Sequence, residues 1–208
     1  MSILDQVHFD STGLVPVVVQ DCESGEVLMV AWANREALEK TELAGELTLF
    51  SRSRNCLWKK GETSGNTMHV VEMKIDCDGD TLLALVEPAG PACHTGQRTC
   101  FYRSLWGEGG TDCTFWGRLW RCLLERRFAP PEESYTARLL QEGASRIAQK
   151  VGEEGVETAL AVALKDRENT RYEAADLLYH LLVALISLDL KPLDVLGELR
   201  RRHRSTTC

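Results

Sequence analysis

Cys77, Cys93 and Cys100 are the residues of this chain best suited to soft-metal chemistry, and Cys77 lies inside an acidic string, Asp76-Cys77-Asp78-Gly79-Asp80. Thiolates favour zinc, whereas carboxylates favour magnesium. One short stretch therefore offers two kinds of metal chemistry. On a β-strand, Asp76 and Asp78 would face one side and Cys77 the other, with Gly79 turning the chain to return Asp80 toward the first two carboxylates. Free cysteines are often only small buried hydrophobes, and Cys22, Cys56, Cys113, Cys122 and Cys208 have no such setting. The thiol spacings, fifteen intervening residues and then six, are not those of a zinc ribbon. An EF-hand is excluded as well. Asp76, Asp78, Asp80 and Glu87 occupy its first, third, fifth and twelfth positions, but Thr81 stands where that loop needs glycine.

A second constellation lies far downstream, in Glu153-Glu154-Gly155-Val156-Glu157 and Glu173-Ala174-Ala175-Asp176. Offsets of three and four residues put side chains on one helical face. If two helices form a hairpin about residues 165–169, Glu157 and Asp176 each lie about 13–15 Å from the turn. Facing carboxylates repel unless they share a divalent cation, and a solvated helix face is the plainer alternative. Glu173 and Asp176 fall among Ala174, Ala175, Leu177, Leu178, Leu181 and Leu182, where carboxylates need a partner. Lys150 falls on the same face as the upstream glutamates, as a phosphate contact or a salt bridge.

These groups must be positioned by two unlike halves. Residues up to about 110 contain short β-like runs, Val15–Gln20, Val27–Ala33, Leu47–Ser51, Val70–Ile75 and Leu82–Val86, and one helix from Asn34 to about Leu43. The rest reads as helical: Phe115–Arg127, a long helix capped by Ser134 and running toward Leu164, a polar turn at Lys165–Asn169, an apolar helix over Thr170–Leu190, and a last helix from Pro192. The Gly-rich segment Trp106–Cys113 is the expected linker, giving domains of residues 1–108 and 112–208. The fold class expected is a β-rich α+β metal-binding domain followed by an all-α bundle.

The charge is uneven. Residues 1–110 carry 9 basic against 16 acidic side chains, and the remainder 15 against 15. An acidic half argues against nucleic-acid binding, which needs a basic face. No apolar run reaches the length of a membrane span and no signal segment opens the chain, so a cytoplasmic location and free thiols are expected.

With both constellations in hand, residues of about 1–106 resemble phosphoribosyl-AMP cyclohydrolase. The matching stretches are Met29–Asn34, Phe50–Arg54, Leu57–Asn66, Asp76–Asp80, Cys93–Gly96 and Cys100–Arg103. Residues of about 112–208 resemble phosphoribosyl-ATP pyrophosphohydrolase through Ser134–Leu140, Lys150–Glu154 and Tyr172–Tyr179. Together they resemble the bifunctional family of histidine biosynthesis. The resemblance implies that Asp76, Asp78 and Asp80 bind magnesium. It also implies a homodimer with zinc sites at the interface of the first domain, Cys77 from one subunit joining Cys93 and Cys100 of the other. Zinc with an open position lowers the pKa of its water toward ~7 and so suits attack at C6, opening the adenine ring of phosphoribosyl-AMP at N1–C6.

Within that frame His94 is the candidate proton shuttle, with a fourth zinc ligand or an orienting residue as its alternatives. The stretch Trp58–Asn66 reads as a phosphate-cradling loop, with Trp58, Lys60, Gly61, Ser64 and Gly65 as its contacts, and Arg52 as a further one. For the second domain the resemblance implies magnesium on Glu153, Glu154, Glu157, Glu173 and Asp176, release of pyrophosphate from phosphoribosyl-ATP, and helices that pair between subunits. Two rivals remain: a general nucleotide pyrophosphatase on a zinc-stabilised scaffold, and a non-enzymatic module. Three thiols without an evident fourth ligand weigh against purely structural zinc.

Overall fold

The structure is a computed structural model that describes residues 3–107 and 113–206. It divides into two compact units, Met1–Gly117 and Arg118–Cys208. The first is strand-rich and the second helical. The expected linker boundary, between residues 108 and 112, lies outside the described residues.

The first unit is built on one six-stranded sheet: β1 (Val15–Asp21), β2 (Val27–Ala33), β3 (Thr48–Ser51), β4 (Cys56–Lys59), β5 (Met68–Ile75) and β6 (Leu82–Pro88), in spatial order β4-β3-β2-β1-β6-β5. All neighbours are antiparallel except β1 and β6, which pair in parallel from Val17↔Leu82 to Asp21↔Val86. The strict alternation of β1 buries Val15, Val17 and Val19 completely, and these meet Leu28, Leu49, Met68, Ala84 and Val86 in one core. Helix α1 (Arg35–Ala44) closes that core with Ala37 and Leu38. Asn34 caps it as expected, its side chain accepting from the Ala37 N–H at 2.8 Å.

Two local expectations for this unit fail. Strand β4 was not anticipated, and Trp58 therefore stands on a strand edge rather than in a loop, paired with Leu49. Four residues following a Ser/Arg/Asn run carry too little periodicity to signal a strand. Asp76–Asp80 are likewise not a strand: β5 ends at Ile75 and the aspartates occupy the β5–β6 turn.

The second unit contains α2 (Phe115–Arg126, which begins just before the unit boundary), α3 (Tyr135–Glu142), α4 (Ala144–Ala163), α5 (Arg167–Ser187) and α6 (Pro192–Thr206). Ser134 caps α3, accepting from Ala137 N–H at 3.2 Å. The single helix expected from Ser134 to Leu164 is two helices, because Gly143 takes φ 89° and ψ 179°, a conformation open to glycine that no helix can hold. The polar turn is also shorter than expected: Asp166 caps α5, which starts at Arg167. Leu139, Ile147 and Val183 form the core that joins α3, α4 and α5.

Candidate active sites

In the first unit, the loop after β6 brings two of the three thiols together. Ala92 N–H donates to the Arg98 carbonyl at 2.9 Å and Cys93 N–H to Gln97 at 3.0 Å, closing a small loop around Gly96. The loop is then tied to β2: Thr99 Oγ1 donates to Val27 O at 2.7 Å, and Cys100 N–H to Leu28 O at 2.8 Å. Arg98 completes the anchorage by reaching the buried carboxylate of Asp21, at the end of β1, and Glu26 at 2.8 Å. Nothing in the spacing of Asp21 or Arg98 singled them out; only the fold joins them.

The anchored loop sets Cys93 and Cys100 side by side. The Thr95 hydroxyl donates to Cys93 Sγ at 3.1 Å and holds that thiol below its ordinary pKa, while burial and then the neighbouring Cys93 push Cys100 up. Cys77 is exposed on the β5–β6 turn. Among the described residues of one chain, the three thiols do not converge to a common point. His94 is exposed beside Cys93, its Nδ1 4.0 Å from Sγ.

A pocket of about 490 Å³ opens over these thiols, lined by Trp58, Lys60, Gly61, Ser64, Cys93, His94 and Cys100 among others. This is within the size range of small-ligand sites. Gly61 is required there: its φ is 85°, and a Cβ would fall 2.3 Å from the Asn66 carbonyl carbon. Gly65 N–H donates back to Gly61 O at 2.8 Å, so Lys59–Asn66 forms a tight cradle. Gly65 itself shapes the cradle without lining the pocket. Lys60 is buried, and that burial pushes its ammonium down while Cys100 and Cys93 pull it back up. Arg52 stands outside this pocket, in an adjoining open groove of about 680 Å³, stacked on Trp32 with its guanidinium carbon 3.3 Å from the ring centre.

The carboxylates of Asp76, Asp78 and Asp80 do converge, each offering an oxygen within 4.8 Å of the others. Backbone N–H groups of Gly79 and Thr81 donate to Asp76 Oδ1 at 3.0 and 3.1 Å, and such donors help hold its carboxyl below the usual range against the opposing effect of burial. The turn is braced by His8, whose N–H donates to Gly79 O at 2.7 Å and whose Nδ1 donates to Asp78 O at 2.6 Å.

In the second unit, α4 and α5 form the expected hairpin and face Glu154 and Glu157 against Glu173, again within 4.8 Å. The Glu173 charge pushes the Glu157 carboxyl above the usual carboxylate range, with burial and Glu154 adding to it. Glu154 is 5% exposed, and Lys150 Nζ lies 2.7 Å from its Oε1 and 3.0 Å from Glu153 Oε2. Glu153 thus faces Lys150 and Gln149 instead of the cluster. Asp176 is exposed, one helical turn beyond Glu173. Sequence reasoning passed over His180, buried one turn beyond Asp176 on α5; the i+4 spacing was the available signal.

Both oxygen clusters fit a hard divalent cation, because crowding three anionic groups costs free energy that such an ion removes. The paired thiols fit a softer one.

Comparison with known proteins agrees with this division. The phosphoribosyl-AMP cyclohydrolase family model matches residues 29–102, and the phosphoribosyl-ATP pyrophosphohydrolase model matches residues 117–203. The chain is 53% identical over 202 residues to the histidine biosynthesis bifunctional protein HisIE of Thermus thermophilus, covering 97% of this chain and 94% of that protein. It is 53% identical to the protein of the same name from Pasteurella multocida over 192 residues (91% and 94%), and 52% to that of Escherichia coli K12 over 192 residues (92% of each). With two catalytic units in the matched order, the chain belongs to the bifunctional histidine-biosynthesis family that joins phosphoribosyl-AMP cyclohydrolase to phosphoribosyl-ATP pyrophosphohydrolase.

Proposed function

We propose that residues 112–208 release pyrophosphate from phosphoribosyl-ATP and that residues 1–108 then open the adenine ring of the resulting phosphoribosyl-AMP at N1–C6. The observation that carries this reading is that each compact unit contains its own metal-competent cluster. That the chain acts on small phosphoribosyl nucleotides follows from its family; the division of chemistry among residues is our reading.

In the helical unit, Glu154, Glu157 and Glu173 would hold magnesium, with Glu153 and Asp176 at the margin of the cradle. Bound magnesium supplies Lewis acidity at the phosphoanhydride. Lys150, already paired with Glu153 and Glu154, is placed to exchange one of these for a phosphate oxygen.

In the strand-rich unit, Cys93 and Cys100 of one subunit and Cys77 of its partner would hold zinc. The exposure of Cys77, apart from the other two thiols, supports a shared site. Zinc there supplies the Lewis acidity for hydrolysis at C6. His94 at the pocket wall would carry the proton from the attacking water toward N1 as the ring C–N bond breaks. The cradle around Gly61 and Ser64, with Lys60, would bind substrate phosphate, while Trp58 adds an aromatic side chain to the pocket lining. Asp76, Asp78 and Asp80 would hold a separate magnesium ion. No described helix is long and apolar enough to cross a membrane, and we place the enzyme in the cytoplasm, where its thiols stay reduced. The apolar side chains left exposed on α4 and α5, Val156, Leu160, Leu178 and Leu181, support pairing of the helical units in the homodimer as well.

The test is incubation of the purified protein with phosphoribosyl-ATP and magnesium, following mass and ultraviolet absorbance. Sequential appearance of pyrophosphate and a ring-opened product supports the reading. Pyrophosphate release without ring opening in zinc-replete protein refutes it for the first unit.

A further inference from the structure

His180 sits behind the carboxylates of the helical unit in a network that metal ligation alone does not require. It is 5% exposed, and its orientation is fixed from three helices. Its Nδ1 lies 2.9 Å from the carbonyl oxygen of Asp176 on its own helix. A carbonyl only accepts, so Nδ1 carries a proton. On the other side of the ring, Nε2 lies 3.2 Å from the hydroxyl of Tyr135 on α3. In the neutral imidazole this nitrogen accepts, and the tyrosine donates. Tyr135 and Tyr179 both meet the imidazole edge-to-face, with centroids 6.1 and 5.2 Å away, and the Tyr179 hydroxyl is itself held 2.8 Å from Thr136 Oγ1.

The protonated Nδ1 also lies 3.6 Å from Glu154 Oε1, on α4. That is an electrostatic contact rather than a hydrogen bond, and it falls on the same oxygen that Lys150 approaches at 2.7 Å. The Lys150 ammonium and the Nδ1–H dipole of the neutral ring thus both lie on the Oε1 side of the Glu154 carboxylate, whose residue shares the cluster with Glu157 and Glu173. A histidine used only for packing would not need its tautomer fixed from α3.

We propose that His180 is a positioning residue of the pyrophosphohydrolase site: its Nδ1–H orients the Glu154 carboxylate, and the Tyr135 hydroxyl holds the ring in the tautomer that does so. The inference rests on reading Glu154, Glu157 and Glu173 as a metal cradle. It extends that cradle to α3, whose Ser134-Tyr135-Thr136 start supplies the cap, the tautomer lock and the tyrosine clamp in three consecutive residues.

Manganese titration of the full-length protein, with free Mn²⁺ followed by electron paramagnetic resonance, separates the possibilities. The binding component lost in Glu154→Gln reports the cradle. Asparagine places its amide nitrogen near the position of Nδ1, and glutamine near that of Nε2. His180→Asn should keep that component within about threefold of the parent, whereas His180→Gln should weaken it about tenfold or more, as outer partners of metal ligands commonly do. Tyr135→Phe should weaken it several-fold, and ring opening of supplied phosphoribosyl-AMP should be unchanged in all three. Equal binding by the two His180 variants, whether parental or weakened, overturns the Nδ1 assignment. Parental binding in Tyr135→Phe overturns the tautomer lock, and that variant decides alone if neither His180 variant folds. If Glu154→Gln loses no component, the cradle reading itself fails, which is distinguishable from failure of the inference.

Discussion

Arg98, two residues before Cys100, reaches the carboxylate of Asp21, which is 1% exposed at the end of β1. The thiol loop is therefore fastened to the sheet by a buried charge. Removing the guanidinium takes a cation from that charge, a loss of about 3–5 kcal/mol when both partners are deeply buried. Arg98 is partly exposed, and water can enter, so Arg98→Ala should cost about 2–3 kcal/mol. Denaturant unfolding of the strand-rich unit would measure it. Bound zinc should fall with it while pyrophosphate release persists. Unchanged unfolding and zinc content would mean that the loop is held by Thr99 and Cys100 alone.

Gly61 gives a sharper steric test. A methyl group there meets the Asn66 backbone at 2.3 Å in a left-handed conformation, so Gly61→Ala must distort the cradle. We expect ring opening to fall at least tenfold, mainly through KM for phosphoribosyl-AMP. Gly65→Ala meets no neighbouring atom and should be milder. Equal effects would remove the special role assigned to Gly61.

The shared zinc site predicts asymmetric complementation. Cys77→Ala and Cys93→Ala should each abolish ring opening, because each removes a ligand from both sites of a homodimer. A mixed dimer keeps one site with all three thiols and should regain up to half of the parental turnover per heterodimer. Absence of recovery, with heterodimers isolated through a different affinity tag on each subunit, places each zinc site within one chain.

Like-charge crowding in the helical unit fixes the sign of a pH effect. The folded-state pKa of Glu157 is raised, chiefly by Glu173. Without metal, the folded form therefore binds more protons than the unfolded form across that window, and its contribution to stability declines as pH rises through it. Magnesium should accordingly raise the melting temperature more at neutral pH than at the acid edge of the carboxylate range. Glu157→Gln should raise the metal-free melting temperature slightly and shrink the response to magnesium. A magnesium response that is flat with pH would contradict the crowding.

Much of this organisation was legible in the chain. Alternation in Val15–Val19, the cap at Asn34 and the Ser134 start of α3 are local signals, and each appears where its chemistry puts it. Helical spacing plus a short connection put carboxylates of the two helices face to face, but the oxygens that converge are those of Glu154, Glu157 and Glu173, where counting from the turn had levelled Glu157 with Asp176. What failed depended on partners distant in sequence. The convergence of Asp76, Asp78 and Asp80 was expected, but from strand alternation ending in a turn at Gly79, whereas the whole string lies in a turn that His8 and backbone N–H groups hold. Gly143 breaks a helix whose flanks are both good helix formers. The joining of Arg98 to Asp21, and of His180 to Tyr135, spans 77 and 45 residues, and no spacing rule reaches that far.

The measurement closest to the central claim compares two substrates in one variant. Glu154→Gln removes a charge from the cradle of the helical unit, whereas the paired thiols belong to the other compact unit. At about 1.4 kcal/mol per tenfold, loss of a few kcal/mol of electrostatic stabilisation slows pyrophosphate release from phosphoribosyl-ATP by roughly a hundredfold or more. Ring opening of supplied phosphoribosyl-AMP should proceed at the parental rate. His94→Ala should give the reverse pattern, with phosphoribosyl-AMP accumulating. If Glu154→Gln disables both steps in a protein that remains folded and dimeric, the two chemistries share one site and the account of two separate centres is wrong.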